Sequence, residues 1–232
     1  MEIFVDSANY QEIETWFRQG VVDGVTTNPS IMWKDGVYEI EDHAKRICRL
    51  LGDRPVSVEV TTNDRVAMVD QARVFAKWAP NVVVKIPVIN QEGQSCLGVI
   101  HQLREEGIRI NCTAILSFNQ AVLASKAGAN YVSIFAGRVS DEGGDACAII
   151  RSVRGWLDMW HLPSKIIVGS IRSAIDVQAA AMAGAHIVTI PPQFLPKMVD
   201  HKYSRDTVRG FVADARKAME AIEKELAARG KE

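Results

Sequence analysis

The sequence predicts an α/β protein built as a single (β/α)8 TIM barrel, and three observations carry that reading. Short apolar runs alternate with longer amphipathic stretches along the whole chain. Such alternation makes a parallel sheet, because each strand is followed by a right-handed helical crossover. Eight strand–helix units fit into 232 residues, close to the ~250 typical of a closed eight-stranded barrel. Finally, nearly every strand ends in a polar residue, and in a barrel those ends form one mouth where chemistry is done.

The strands are predicted over 2–7, 24–28, 56–60, 82–88, 109–115, 131–136, 165–171 and 187–191. The run over 82–88 is so apolar apart from Lys85 that it reads as a buried strand. Between the strands, 64–78, 93–106 and 117–127 carry apolar residues at helical spacing. A faint repeat marks two of the turns: Ala127-Gly128-Ala129 precedes the sixth strand and Ala183-Gly184-Ala185 the eighth. In each, a helix ends on a glycine able to take the left-handed capping conformation. Residues 204–229 read as a long amphipathic helix that extends beyond the barrel and helps to build an oligomer. With no linker or low-complexity tract, one domain over 1–232 is expected.

Composition narrows the function classes. The 27 Lys and Arg balance 28 Asp and Glu, so no global field favours nucleic acid or an anionic membrane, and any anion site must be local. Cys48, Cys96, Cys112 and Cys147 form no CxxC pair, and the five histidines show no metal-ligand spacing. The chain starts on the strand-like Ile3-Phe4-Val5, with no signal segment and no run long enough to cross a membrane. A soluble, cytoplasmic protein is expected.

Lys85 is the most informative residue. It lies within Val82-Val83-Val84-Lys85-Ile86-Pro87-Val88, where an ammonium group is costly unless paired or neutralised. A desolvated lysine is a nucleophile that can form a Schiff base with a carbonyl. The plain alternative is an edge strand with Lys85 turned to water. Context favours the first reading. The successive strands offer Asp6, then Thr26 and Asn28, Glu59, Lys85, Asn111 and Thr113, Ser133 and Arg138, and Ser170 and Arg172. One such residue is usually a cap or turn former, as Asn28 before Pro29 can be, but seven strands in succession are hard to explain that way. Side-chain alternation places Lys85 with Val83 and Pro87, Asp6 with Phe4, Glu59 with Ser57, and Asn111 with Thr113.

Together these groups suit carbon–carbon bond cleavage. Lys85 would form an iminium with a ketone, and Asp6 would take and return the hydroxyl proton. Glu59 with Thr113 would hold a proton-shuttling water, and Asn28 and Asn111 would bind substrate hydroxyls. Ser170, Arg138 and Arg172 sit late in the barrel, where phosphate sites are common. Surface ion pairs are the plain alternative for the arginines.

Val5-Asp6-Ser7-Ala8, Gly24-Val25-Thr26-Thr27-Asn28-Pro29-Ser30, Val84-Lys85-Ile86-Pro87, Ile110-Asn111-Cys112-Thr113 and Ser133-Ile134-Phe135-Ala136-Gly137-Arg138 resemble the transaldolase family, in its order and over essentially the whole chain. The length resembles the compact transaldolase and fructose-6-phosphate aldolase branch. The resemblance implies a class I aldol mechanism with no metal or organic cofactor. In it Lys85 is the Schiff-base lysine, Asp6 the acid/base, and Glu59 and Thr113 the holders of the catalytic water. Asn28, Asn111 and Ser133 would contact the dihydroxyacetone portion, and Ser170, Arg138 and Arg172 the phosphate of a sugar-phosphate substrate. It also implies a homo-oligomer, a pentamer or a decamer of stacked pentamers.

Glu59 and Phe135 are similar to the transaldolase members; the aldolases carry glutamine and tyrosine there. Without a tyrosine hydroxyl to protonate the bound enamine, the three-carbon unit waits for an acceptor. Ile134 stands in place of the usual proline, Ser173 of asparagine, and the segment around Phe211 lacks the usual tryptophan. Gln94 and Cys96 also depart from the pattern. Transaldolase activity is thus expected. The alternatives are an aldolase releasing dihydroxyacetone, a transaldolase for a related ketose such as a sulfonated one, and a silent sugar-phosphate-binding barrel.

Overall fold

A computed structural model describes residues 1–229 of the chain, and the last three residues of the expected single domain lie outside the described residues. Two compact units are present, Met1–Phe194 and Leu195–Glu232. In the first, eight parallel strands close into a barrel in sequence order. Its first half runs β1 (Glu2–Asp6), α1 (Tyr10–Arg18), β2 (Gly24–Thr26), α2 (Pro29–Lys34), α3 (Ile40–Leu51), β3 (Val56–Glu59), α4 (Arg65–Ala76) and β4 (Val82–Pro87). There follow α5 (Leu97–Glu105), β5 (Ile110–Ile115), α6 (Phe118–Lys126), β6 (Tyr131–Phe135), α7 (Ala136–Asp141), α8 (Ala146–Met159), β7 (Lys165–Gly169), α9 (Ala174–Met182), β8 (Ile187–Ile190) and a 3-10 turn, Pro192–Phe194. The second unit holds α10 (Leu195–Val199) and α11 (Lys202–Arg229).

The eight strands fall where the sequence puts them; seven end one or two residues sooner than expected, and β5 starts one residue later and ends at Ile115 as expected. Local chemistry starts the helices. Asn28, Asp64, Ser117 and Asp145 each accept a hydrogen bond from a backbone N–H of the first turn, satisfying a donor with no intrahelical partner. Gly128 and Gly184 have φ of 103° and 92°, so both repeated turns use glycine for the left-handed step.

The helix predicted over 93–106 starts later than expected, at Leu97. Asn90 binds the backbone and side chain of Gln94, and Ile89 bridges antiparallel to Ser95. These local bonds outcompete a first helical turn.

Following the strand registers around the barrel sorts the inward residues into layers, with alternate strands supplying each one. At the lower end Phe4, Ile167 and Ile187 form a buried cluster against Tyr131. A Cβ on Gly24 would sit 2.6 Å from the Phe4 ring, so the aromatic fills the space that a β2 side chain would take. Above this plug comes Thr26, Lys85, Ser133 and Thr189, from even strands. Asp6, Glu59, Thr113 and Gly169, from odd strands, form the layer nearer the mouth. The closed core carries a polar upper half.

The second unit is different in kind. α11 has no buried residue, and Val208, Val212, Met219, Ile222 and Leu226 are all exposed along it. Their steps of three, four and seven residues draw one apolar stripe down the helix. No described helix is long and apolar enough to cross a membrane.

Candidate active site

A cavity of about 140 Å³ opens at the C-terminal ends of the strands. Of the residues expected there, Asp6, Thr26, Asn28, Lys85, Ser133, Phe135, Arg138 and Ser170 line it. Gly169 and Thr189, not singled out in the sequence, line it too.

Lys85 projects inward from β4 and is 4% exposed. A closed barrel has no edge strand, which removes the alternative of a lysine guarding a sheet edge. Its Nζ pairs with Glu59 Oε2 at 3.0 Å and donates to the Thr27 carbonyl at 2.9 Å. The adjacent carboxylate is what makes a buried ammonium tolerable. It also supplies an acceptor for the proton that the amine must lose before it can attack a carbonyl.

Asp6 ends β1. Its Oδ1 accepts from Thr26 Oγ1 at 2.7 Å, and Thr26 shares a hydrogen bond with Thr189 Oγ1 at 2.5 Å. Desolvation raises the Asp6 carboxyl above its ordinary value; the Lys85 charge and the Thr26 hydrogen bond oppose this, and Glu59 adds to it. A carboxyl raised toward neutrality can give and take protons in the working range.

Beneath the cavity, Asn111 Nδ2 donates to Ser57 Oγ at 3.2 Å, and Ser133 Oγ donates to Asn111 Oδ1 at 2.7 Å. The expected inward faces of Lys85, Glu59 and Asn111 are those observed. Thr113 is fully buried, and its Oγ1 has no hydrogen-bond partner. Register breaks between Cys112 and Ile115, and Ala114 takes φ 59°. A non-glycine residue in the left-handed region beside a bulge is strained and re-aims its strand.

The other end of the cavity is cationic. Arg138, from α7, stacks over the Phe135 ring at 5.2 Å. Ser170 follows β7 with φ 59°. Gly137 allows this approach: a Cβ there would lie 2.0 Å from the Ser170 carbonyl oxygen and 2.7 Å from Arg172 Nε.

Two of the expected residues, Asn28 and Arg172, also have structural partners. Asn28 lines the cavity yet also caps α2, its Oδ1 accepting from Ile31 N at 2.9 Å, so both readings of this residue hold. Arg172 borders a neighbouring cavity between α7, α8 and α9 and pairs through Nη2 with Asp141 Oδ2 at 2.7 Å. Among the described residues no group of three or more His, Cys, Asp or Glu is placed to hold a metal ion.

Comparisons with known proteins show what the chain is similar to. Residues 3–231 match the family described as Transaldolase/Fructose-6-phosphate aldolase. A probable transaldolase 2 of Listeria monocytogenes is 44% identical over 214 residues, 92% of this chain and 95% of the relative. A probable transaldolase of Dehalococcoides mccartyi is 41% identical over the same length, covering 92% and 97%. Among solved structures, thiamine phosphate pyrophosphorylase from Pyrococcus furiosus superposes with a TM-score of 0.56 at 13% identity, over 82% of this chain and 85% of that one. A mandelate oxidase variant superposes at 0.54 and 16% identity, over 82% and 63%. At such low identity these two share the barrel fold alone.

Proposed function

The chain belongs to the transaldolase/fructose-6-phosphate aldolase family, and from that premise we propose that it is a Schiff-base transaldolase. It moves a dihydroxyacetone unit from a ketose phosphate, fructose 6-phosphate or sedoheptulose 7-phosphate, to an aldose phosphate such as erythrose 4-phosphate. This is chemistry of the pentose phosphate pathway type, carried out in the cytoplasm. The observation that carries the reading is Lys85: a buried amine inside the cavity, paired with Glu59, with Asp6 lining the same cavity.

Glu59 accepts the ammonium proton, and the freed amine attacks the ketone carbon to give a carbinolamine. Loss of water leaves an iminium, an electron sink. Asp6 then takes the proton from the hydroxyl beyond the scissile bond. The carbon–carbon bond breaks, its electron pair flows into the iminium to give an enamine, and the aldehyde departs. The enamine attacks the acceptor aldehyde, Asp6 returns its proton to the new alkoxide, and water releases the product from Lys85. A water bridging Glu59 and the otherwise unpaired Thr113 hydroxyl would serve both dehydration and hydrolysis.

Asn28, Asn111 and Ser133 face the dihydroxyacetone hydroxyls, while Arg138 and Ser170, with Arg172 exchanging its Asp141 partner for substrate, take the phosphate. Phe135 offers no proton to the enamine, which favours transfer over release. The exposed stripe of α11 suits a homo-oligomer, since a 28-residue helix with nothing buried gains little by itself.

The test is to supply fructose 6-phosphate and follow glyceraldehyde 3-phosphate with and without erythrose 4-phosphate. Repeated turnover only with the acceptor supports the proposal. Steady release without it would make the protein an aldolase, and silence in both would reject these substrates.

A further inference from the structure

Thr189 is a polar residue of the inward layers that the mechanism above does not use. It is 5% exposed on β8, between Val188 and Ile190. A Cβ on Gly169 would lie 3.4 Å from its Cγ2 methyl, so the methyl faces β7. Its hydroxyl reaches the other way, past β1, to Thr26 Oγ1.

Proton counting orders this chain of groups. A threonine hydroxyl has one hydrogen and two lone pairs. Thr26 commits its hydrogen to Asp6 Oδ1, so the hydrogen between the two threonines comes from Thr189. Thr189 donates to Thr26, and Thr26 donates to Asp6. Among the described residues no protein group hydrogen-bonds the other carboxylate oxygen, Oδ2.

We propose that Thr189 is a positioning residue for the reaction, holding Asp6 through Thr26 so that Oδ1 stays fixed and Oδ2 is left for the substrate hydroxyl. This rests on Asp6 acting as the acid/base of the proposed function. Donation by Thr189 polarises the Thr26 hydroxyl and strengthens its bond to the ionised carboxylate, as linked hydrogen bonds do. When Asp6 holds the substrate proton, the chain can reverse, Asp6 donating to Thr26 and Thr26 to Thr189. Either state of Asp6 thereby keeps a partner. The charged groups acting on Asp6 are Glu59 from β3 and Lys85 from β4, and Arg138 from α7 lines the same cavity; β2 and β8 contribute only the two hydroxyls.

The experiment compares wild type, Thr189→Val, Thr189→Ser and Asp6→Asn in the fructose 6-phosphate plus erythrose 4-phosphate assay, with kcat and KM across pH. Valine keeps the shape and removes the donor. It is expected to lower kcat by about three- to tenfold and to move the acid limb of kcat/KM to higher pH by about half a unit. KM should stay near wild type, and serine should restore both the rate and the limb. If valine leaves too little folded protein, Thr189→Ala is measured in its place, with folding checked by circular dichroism. An unmoved acid limb, or a serine variant as impaired as valine, overturns the proposal. Should Asp6→Asn retain full activity, the acid/base reading fails and Thr189's role falls with it. An inactive Asp6→Asn beside an unshifted Thr189→Val rejects Thr189 alone.

Discussion

Replacing Gly137 with alanine tests the phosphate end of the site without altering the identity of any side chain that meets substrate. The added Cβ would lie 2.0 Å from the Ser170 carbonyl oxygen, 2.7 Å from Arg172 Nε and 2.8 Å from Ser170 Oγ. The first of these is roughly 1.5 Å inside an ordinary contact. Backbone cannot swing aside as a side-chain tip can, so the turn after β7 must move. Ser170 already holds a left-handed φ of 59°, which leaves it little room to adjust. Overpacking of this kind costs about 1–3 kcal/mol of stability, readable in a urea titration. The catalytic consequence is larger. A displacement of about 1 Å in a positioning group can cost ~100-fold, so kcat/KM for fructose 6-phosphate should fall about 10- to 100-fold, or about 1.4–2.7 kcal/mol. The Lys85 end lies outside the clash, so trapping of dihydroxyacetone on Lys85 by borohydride should proceed at the wild-type rate within about twofold. An equal loss on dihydroxyacetone would refute the argument, since it would mean that the substitution disturbs the whole barrel rather than its phosphate end.

Other perturbations separate the remaining roles. Thr113→Val removes a buried, unpartnered hydroxyl, so thermal stability should hold or rise slightly, while the rate of adduct formation on Lys85 falls about 10- to 100-fold; a wild-type rate would remove Thr113 from the water site. Phe135→Tyr places a phenol beside the enamine, and release of dihydroxyacetone without acceptor should increase by at least about tenfold, followed by coupled reduction of the free ketone. Asp6 carries a folded-state pKa raised by burial, so its favourable contribution is complete below the ordinary carboxyl range and is lost as pH rises through the raised value. Asp6→Asn should therefore be more stable than wild type at neutral pH, with the difference closing below about pH 4 in thermal melts. Gly24→Ala drives a methyl against the Phe4 ring and should cost about 1–3 kcal/mol while leaving the KM of the folded fraction unchanged.

Most of this architecture can be read from the sequence, because a closed parallel barrel imposes strong local patterns. Strands covered on both faces are runs of valine and isoleucine, and a lysine within one stands out against them. Period-two alternation then assigns Lys85, Glu59, Asn111 and Asp6 to one interior. What stays hidden is whatever depends on contacts across the barrel. Thr189 sits in Ile-Val-Thr-Ile, where threonine reads as one more β-branched strand former, and only barrel closure brings it to Thr26. The ion pair of Arg172 with Asp141, 31 residues earlier, lies beyond any local pattern. Gly137 reads as a helix-start glycine until Ser170 is seen against it. The left-handed Ala114 and Ser170 give no compositional signal, since neither is glycine or asparagine. The late start of α5 follows from side-chain bonds of Asn90 and Gln94, which hydrophobic periodicity does not report.

The central claim is that Lys85 forms the covalent intermediate. The most direct measurement is to add fructose 6-phosphate and borohydride to the purified protein, digest it and locate the modified lysine by mass spectrometry. The account predicts one reduced three-carbon adduct, on Lys85, that disappears when erythrose 4-phosphate is added before the reductant. Turnover without an adduct, or an adduct on any other lysine, would contradict it.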